Sequence, residues 1–269
     1  VFAETSTIQQ PADRHAADAG AANLCMKRQL VVSHQSALTL HRVHQLDHTH
    51  SIHMTSDIGT AARYDGLDVS AAALPGEHLH RERIAGLEVT SIARSVVDTA
   101  RTVPFLDGVV AADHALRHKP VGKKALRAVL SRCANWPGAL AAARVIDFAD
   151  KRSESVLESA SRVFFEEEDI EMPVPQVWMD VPGFGRVRLD FYWRRHRVIG
   201  EADGKVKYGE DADSLVSRES LWMEKRRQEA LEDLGFLVVR WGWDDSFLHR
   251  ARTRARILAA FARAARATA

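Results

Sequence analysis

The sequence predicts an α/β protein in two parts. A small α+β domain spans residues 27–150, and a core ordered helix, three strands, helix, strand spans residues 151–245. Three observations carry this. Segments of helical and of alternating apolar period follow one another along the chain, with Gly and Pro clusters between them. Two residue types divide unevenly: eleven of the 13 histidines precede residue 120, whereas every tryptophan except Trp136 follows residue 170. The chain has 269 residues, 46% apolar and 27% charged, enough for one large domain or two ordinary ones.

The opening "VFAETSTIQQPADRHAADAG" is polar and lacks the charged-then-apolar pattern of a signal peptide. Residues 1–26 read as a poorly ordered tail. "SHQSALTLHRV" reads as a short helix starting near Ser33, and "SIHMTS" as a strand. "EHLHRERIAGLEVTS" reads as a hairpin turning near Ala85 and Gly86. "SIARSVVDTARTV" is amphipathic, with Ser91 as its N-cap. "FLDGVVAADHALRH" and "KKALRAVLSRCA" are helices separated by Pro120 and Gly122; after the break at "NWPG", "ALAAARVIDFAD" starts another.

In the second part, "SESVLESASRVFFEEE" is a helix, because Val156, Leu157, Ala160, Val163 and Phe164 share a stripe. "PQVWMDV", "RVRLDFYW" and "RVIGEA" are three strands, with turns at "PGFG" and "RRH". "VSRESLWMEKRRQEALEDLG" is a helix stopped by Gly235, and "FLVVRWGW" is a buried strand containing Trp241 and Trp243. Residues 246–269, "SFLHRARTRARILAAFARAARATA", read as a basic amphipathic helix.

The formal net charge of +1 predicts no particular partner, so any nucleic-acid affinity has to come from local patches. Cys25 and Cys133 are in no metal-ligand spacing and read as free thiols of a reducing cytoplasm. No apolar run approaches a membrane span, so the expectation is a cytoplasmic protein without a membrane partner. His41, His44, His48, His50 and His53 match neither one helix face nor a finger pattern, and read as a histidine-rich loop.

The chemistry concentrates in "RLDFYWRRHRVIGEADGKVKY". Carboxylates beside a core cost several kcal/mol unless paired. Along one strand Glu201, Asp203 and Lys205 would face the same way, and a hairpin over "RRH" brings Asp190 beside them. Glu154 and Glu158 share a face of the preceding helix. Such acids suit a hard cation, Mg²⁺ or Mn²⁺, which polarises a phosphoryl oxygen and activates a bound water. A lysine can orient that water or stabilise charge developing on the phosphate. The plainer alternative is a salt-bridged sheet edge with Arg188, Arg195 and Arg197. Arg227 falls beside the buried stripe of its helix and needs an anionic partner, either a site carboxylate or a phosphate. Arg250 and Arg254 in the tail come with no nearby acid and are candidate phosphate contacts, against a solvated helix face.

"SESVLES", "RLDFYW", "IGEADGKVKY", "EKRRQEALEDLGF" and "LVVRWGWDD" together resemble the Vsr-like (very-short-patch-repair-like) endonuclease domains of the PD-(D/E)xK nuclease superfamily, over roughly Arg152 to Asp245. "VVSHQSALTLH", "GLEVTSIARSVVDTAR" and "AADHAL" resemble the middle region of AbiEi-type antitoxin-like regulators, common in actinobacteria and often fused to such a domain. The resemblance implies a Mg²⁺- or Mn²⁺-dependent DNA endonuclease. Asp190, Glu201 and Asp203 would be its metal ligands, Lys205 would assist the attacking water, Glu158 would stand behind them, and Arg227 would sit on the phosphate or the acids. Two departures stand against it. A strict (D/E)xK reading from Glu201 puts Asp203 where the lysine belongs, although "DGK" restores Lys205; and no convincing winged helix precedes Lys27. The alternative is a non-catalytic regulator that binds DNA or a protein partner such as a cognate toxin. A weaker third reading is an RNA-directed nuclease.

Overall fold

The computed structural model describes residues 11–26, 30–46, 51–75, 80–203 and 218–267. The chain forms two units, Val1–Lys151 and Arg152–Ala269.

In the N-terminal unit the order is α1 (Pro11–Cys25), β1 (Val31–Val32), α2 (His34–Leu40), β2 (Ile52–Ser56), β3 (Ala62–Tyr64), β4 (Leu67–Ala71), β5 (Arg81–Ile84) and β6 (Leu87–Thr90). Four helices follow: α3 (Ile92–Ala100), α4 (Phe105–His118), α5 (Lys123–Arg132) and α6 (Ala139–Phe148). The strands form one sheet ordered β3-β4-β2-β1-β6-β5. Its short inner strand β1 runs antiparallel to β2 and parallel to β6. Leu30, Val32, Met54, Val69 and Val89 fill a core cluster with Leu40 of α2. The β5–β6 turn falls on Ala85 and Gly86, both at positive φ (49° and 80°), the backbone a tight hairpin turn demands. Ser91 caps α3, its Oγ accepting from the Arg94 amide at 3.2 Å.

Within the stretch expected as a poorly ordered tail, Pro11–Cys25 is helical. Ala16, Ala19 and Ala22 lie against the sheet cluster, with Ala19 fully buried. Alanine is the best helix former, and its small side chain lets a helix approach closely. The sequence reading also passes over β3 and β4, which pair antiparallel around Asp65-Gly66 with Gly66 at φ 71°. Asp-Gly between two short strands is a strong hairpin signal. The histidine-rich loop is likewise revised. His53 lies on β2, and His41 is buried with its Nε2 2.8 Å from the Thr90 carbonyl. His44 stacks on His114 with ring centroids 4.1 Å apart, while His48 and His50 lie outside the described residues.

His34 opens α2 at φ 51° and is 5% exposed. Burial drives its pKa down to about 4, against the opposing pull of Asp98. The unfolded imidazole titrates near 6.5, so the unfolded chain takes up this proton first. The contribution to stability is therefore complete above pH 6.5 and drains away as pH falls toward 4. It is worth about 3 kcal/mol at most. The urea midpoint should drop across that window. In His34→Asn, where Asn tolerates the left-handed backbone, the drop should be shallower.

The C-terminal unit runs α7 (Val156–Glu167), β7 (Val174–Val181), β8 (Gly185–Trp193), β9 (Val198–Ala202), α8 (Arg218–Asp233), β10 (Leu237–Trp241), α9 (Trp243–Phe247) and α10 (Arg250–Ala267). A 3₁₀ turn, Arg194–His196, joins β8 to β9. The sheet is ordered β10-β9-β8-β7; β7, β8 and β9 are antiparallel neighbours, and β10 lies parallel to β9. Val198 packs with Phe165, Trp193, Trp241 and Phe261, whereas its neighbour Ile199 packs with Leu189, Leu231 and Phe236. The sheet is thus buried on both faces, which is why its inner strands read as nearly continuous apolar runs. Gly235 ends α8 at φ 80°.

The tail is two helices rather than one from residue 246. Asp245 Oδ2 accepts from the Gly242 amide at 3.1 Å and closes the start of α9. Ile257, Ala260, Phe261 and Ala264 of α10 join the aromatic core, so the basic helix is structural along its apolar face. Cys25 is exposed and Cys133 buried, both as free thiols. Among the described residues no helix is long and apolar enough to cross a membrane.

Candidate functional site

Asp190 sits on β8 at the point where the ladder opens. The β8–β9 register runs Trp193 opposite Val198, Tyr192 opposite Ile199 and Phe191 opposite Gly200. The next step would set Asp190 opposite Glu201; there the Ala202 amide donates to Asp190 Oδ2 at 3.0 Å. On the other side, Gln176 falls between the Pro175–Phe191 and Val177–Leu189 pairs of the β7–β8 ladder, with φ 55°. Gln176, Asp190 and Glu201 therefore occupy one row across three strands.

Glu158 comes to this row from α7. Its capping role is plain in the geometry, since Ser155 Oγ accepts from the Glu158 amide and donates to Glu158 Oε1, each at 3.1 Å. "SVLE" is the S-x-x-E capping-box pattern. Glu158 Oε2 accepts from the Glu154 amide at 3.1 Å and from Gln176 Nε2 at 2.8 Å. Burial nevertheless raises its pKa. Asp190 is pushed further, to about 6, by burial first and then by the charge of Glu158; Arg227 and Arg188 only partly offset this. Arg188 is itself engaged, in a two-pronged pair with Glu154 at 2.5 and 2.8 Å. Two carboxylates thus share one buried corner with too little positive charge.

Glu201 is different. It is 7% exposed, and both of its oxygens are taken: Oε1 by Arg227 Nη2 at 2.5 Å and Oε2 by Arg240 Nη2 at 2.9 Å. Glu224 closes the network, accepting from Arg227 Nε at 3.0 Å and from Arg240 Nη2. Two arginines and two glutamates make a neutral quartet. Arg227 is therefore on the site acids, one of the two alternatives open to it. Arg188, Arg195 and Arg197 do not pair with Glu201: Arg188 is on Glu154 and Arg197 Nη2 is on the Leu234 carbonyl at 2.6 Å.

Asp203 departs from expectation. β9 ends at Ala202, so strand alternation no longer fixes the side of Asp203, which is exposed. Its amide donates to the Trp241 carbonyl at 2.9 Å. With Arg240, Trp241, Gly242 and Trp243 it lines a shallow cavity of about 290 Å³. Lys205 lies outside the described residues. Arg250 does have acidic company, and Arg254 is held by a backbone carbonyl. Arg250 pairs with Glu167 and Glu168 at 2.9 Å each, and Arg254 Nε donates to the Glu168 carbonyl at 2.9 Å. These contacts tie α10 to the C-terminal end of α7, where cations are favoured. Among the described residues no three His, Cys, Asp or Glu side chains gather as a ready ligand set for a metal ion.

Sequence reasoning missed Gln176, Glu224 and Arg240. Arg240 had a signal, because a lone charge inside "LVVRW" needs a partner, and the β9–β10 register sets it opposite Glu201. Glu224 had one too, three residues before Arg227. Gln176 had none.

No protein family profile matches the chain, and no solved structure matches it. It is similar to two proteins of Mycobacterium tuberculosis: the uncharacterized protein Rv2248 of strain H37Rv and the uncharacterized protein MT2308 of strain CDC 1551 / Oshkosh. Each is 27% identical over 178 residues, or 65% of this chain and 62% of the relative's own length.

Proposed function

We propose that the C-terminal unit is a PD-(D/E)xK nuclease-like domain of the Vsr-like type that hydrolyses DNA phosphodiesters with Mg²⁺ or Mn²⁺. The observation that carries this reading is the buried Asp190–Glu158 corner, short of positive charge and placed where the β8–β9 ladder parts. The order helix, three strands, helix, strand, with Asp190 on the second strand and Glu201 on the third, supports it.

The donors fit a hard cation. Mg²⁺ binds through one or two carboxylates and keeps several waters. Asp190 Oδ1 accepts no hydrogen bond among the described residues, and Glu158 supplies a further carboxylate at the same corner. The ion would supply a polarised phosphoryl oxygen and a more acidic water. The chain's own residues do the rest. Ser155 and Gln176 hold Glu158 in place, and the Ala202 amide orients Asp190. Arg227 and Arg240 hold Glu201 at the edge of the site. Lys205 would assist the attacking water.

Asp190→Asn tests this. The Asn oxygen still accepts from Ala202, so the fold is kept. Metal-dependent cleavage of plasmid and mismatched duplex DNA should be lost in the variant and retained in wild type. The variant should also be more stable at pH 7. The folded carboxyl gives up its proton near pH 6 and the unfolded one near 3.8, so ionising it works against the fold above that range. The gain should be about 1–2 kcal/mol.

The second reading, a regulator that binds DNA or a protein such as a cognate toxin without cleaving, is favoured by one observation. Both oxygens of Glu201 are already neutralised by arginines, and a carboxylate so held is a poor metal ligand. Binding of DNA or of a partner with no cleavage under either metal, in wild type and Asp190→Asn alike, would select it.

A further inference from the structure

The N-terminal unit contains a cavity that neither the fold nor the proposed nuclease chemistry uses. It measures about 430 Å³ and is lined by His34, Asp98, Arg101, Thr102 and Trp136, with Ser70 and a wall of Ala61, Ala71, Ala72, Ala73 and Pro137. The size suits a small organic molecule.

Its charge is unbalanced. Asp98, 1% exposed, accepts from Arg94 Nε at 2.6 Å and from Arg101 Nη1 at 2.9 Å. One carboxylate therefore serves two guanidiniums. Arg94, also 1% exposed, spends Nη1 on the Ala73 carbonyl and on His80 Nδ1, while its Nη2 is buried without a hydrogen-bond partner. Arg101 Nε donates to the Pro137 carbonyl, and Arg101 Nη2 donates to nothing among the described residues. Both guanidiniums lie over Trp136, at 4.7 and 5.0 Å. A buried net positive charge is costly unless an anion answers it.

The neutral donors point the same way. Ser33 is fully buried, and its Oγ accepts from Thr55 Oγ1 at 2.8 Å. The Ser33 proton needs an acceptor, and His34 Nδ1 stands 2.9 Å away. With Nδ1 accepting, the ring proton is on Nε2, the nitrogen left without a hydrogen bond in a residue that lines the cavity. Arg101 Nη2, His34 Nε2 and the Ser70 hydroxyl are then donors with no matching acceptor, beside an apolar wall.

We propose that this cavity binds a small organic anion, its phosphate or carboxylate head on Arg101, His34 and Ser70 and its body against Trp136 and the alanine wall. The site is independent of the nuclease reading, which concerns the other unit.

Calorimetric titration and thermal melts of the full chain test it with adenosine 5′-monophosphate, benzoate and neutral adenosine. The phosphate monoester, the carboxylate or both should bind and raise the melting temperature, and which of them does so identifies the head group. Adenosine should not bind. Arg101→Gln should weaken the anion by about tenfold or more. Ser70→Glu puts an acid on the cavity rim and leaves the Arg94–Asp98–Arg101 cluster intact. It should abolish anion binding while the free protein melts no lower than wild type. Failure of both anions at millimolar concentration, equal binding of adenosine, or full binding by Ser70→Glu would overturn the proposal.

Discussion

Asp98→Ala is expected to lower the stability of the N-terminal unit by about 3–5 kcal/mol, the range for breaking a buried ion pair from one side. The pair of Arg94 and Asp98 is 99% removed from solvent on both sides, and Arg101 shares the same carboxylate. Removing the acid leaves two guanidiniums facing each other, with one nitrogen of Arg94 already unpartnered. Trp136 is the one tryptophan of residues 1–151 and carries both guanidiniums on its ring. Its neighbours should therefore change with the pair, and its fluorescence gives a local readout in urea. Replacing both partners, as Arg94→Met with Asp98→Leu, should recover much of the loss, because the cost is that of an unanswered charge. A single-variant loss under about 1 kcal/mol would mean that water reaches the cluster.

Gly200→Ala should damage the C-terminal unit severely for a one-methyl change. A Cβ there would stand 2.5 Å from Trp241 Cη2 and 2.8 Å from Trp193 Cζ3. Neither ring can retreat. Trp241 Nε1 donates to Ser161 Oγ at 2.7 Å, Trp193 Nε1 donates to the Glu171 carbonyl, and Phe165 stands edge-on to both rings. Overpacking of this kind costs about 1–3 kcal/mol, and the upper end is expected here. Thermal unfolding with near-ultraviolet circular dichroism would show it. A second change, Trp241→Phe, should restore part of the stability by reopening the space. A neutral Gly200→Ala would mean that the β8–β9 pair can shift as a body.

Much of this was legible from residue order. The apolar stripe of α7, the alternation of β8, the Gly235 stop and the Ala85-Gly86 turn are local signals, and local chemistry decides them. The juxtaposition of Asp190 with Glu201 follows from a tight turn over Arg194–His196. What escaped was decided at a distance. Arg227 on Glu201 is one of the two alternatives the sequence leaves open for it, but Glu201 is also answered by Arg240, on a strand that reaches β9 only after a helix. No local spacing within β9 names that second partner. Asp203 escaped because strand alternation was carried one residue past the end of the strand. α1 escaped because its alanines are buried for their fit against the sheet, which a polar average conceals. The β3–β4 hairpin was readable, with Asp-Gly at its turn, and was passed over.

The parallel partnership of β10 with β9 has a kinetic consequence. β7, β8 and β9 are linked by short turns, so their pairing closes small loops and can form early. β10 has to come back across more than thirty residues to lie beside β9, with Leu237 opposite Val198 and Arg240 opposite Glu201. Until it arrives, Glu201 lacks one of its two arginines, and Trp241 is missing from the aromatic core. The acid row is thus assembled before Arg240 is in place. A folding intermediate with a paired meander, a docked α8 and an undocked β10 would leave Glu201 and Glu224 to Arg227 alone, one negative charge in excess. Raised ionic strength should slow the docking of β10 by screening the attraction between Arg240 and Glu201.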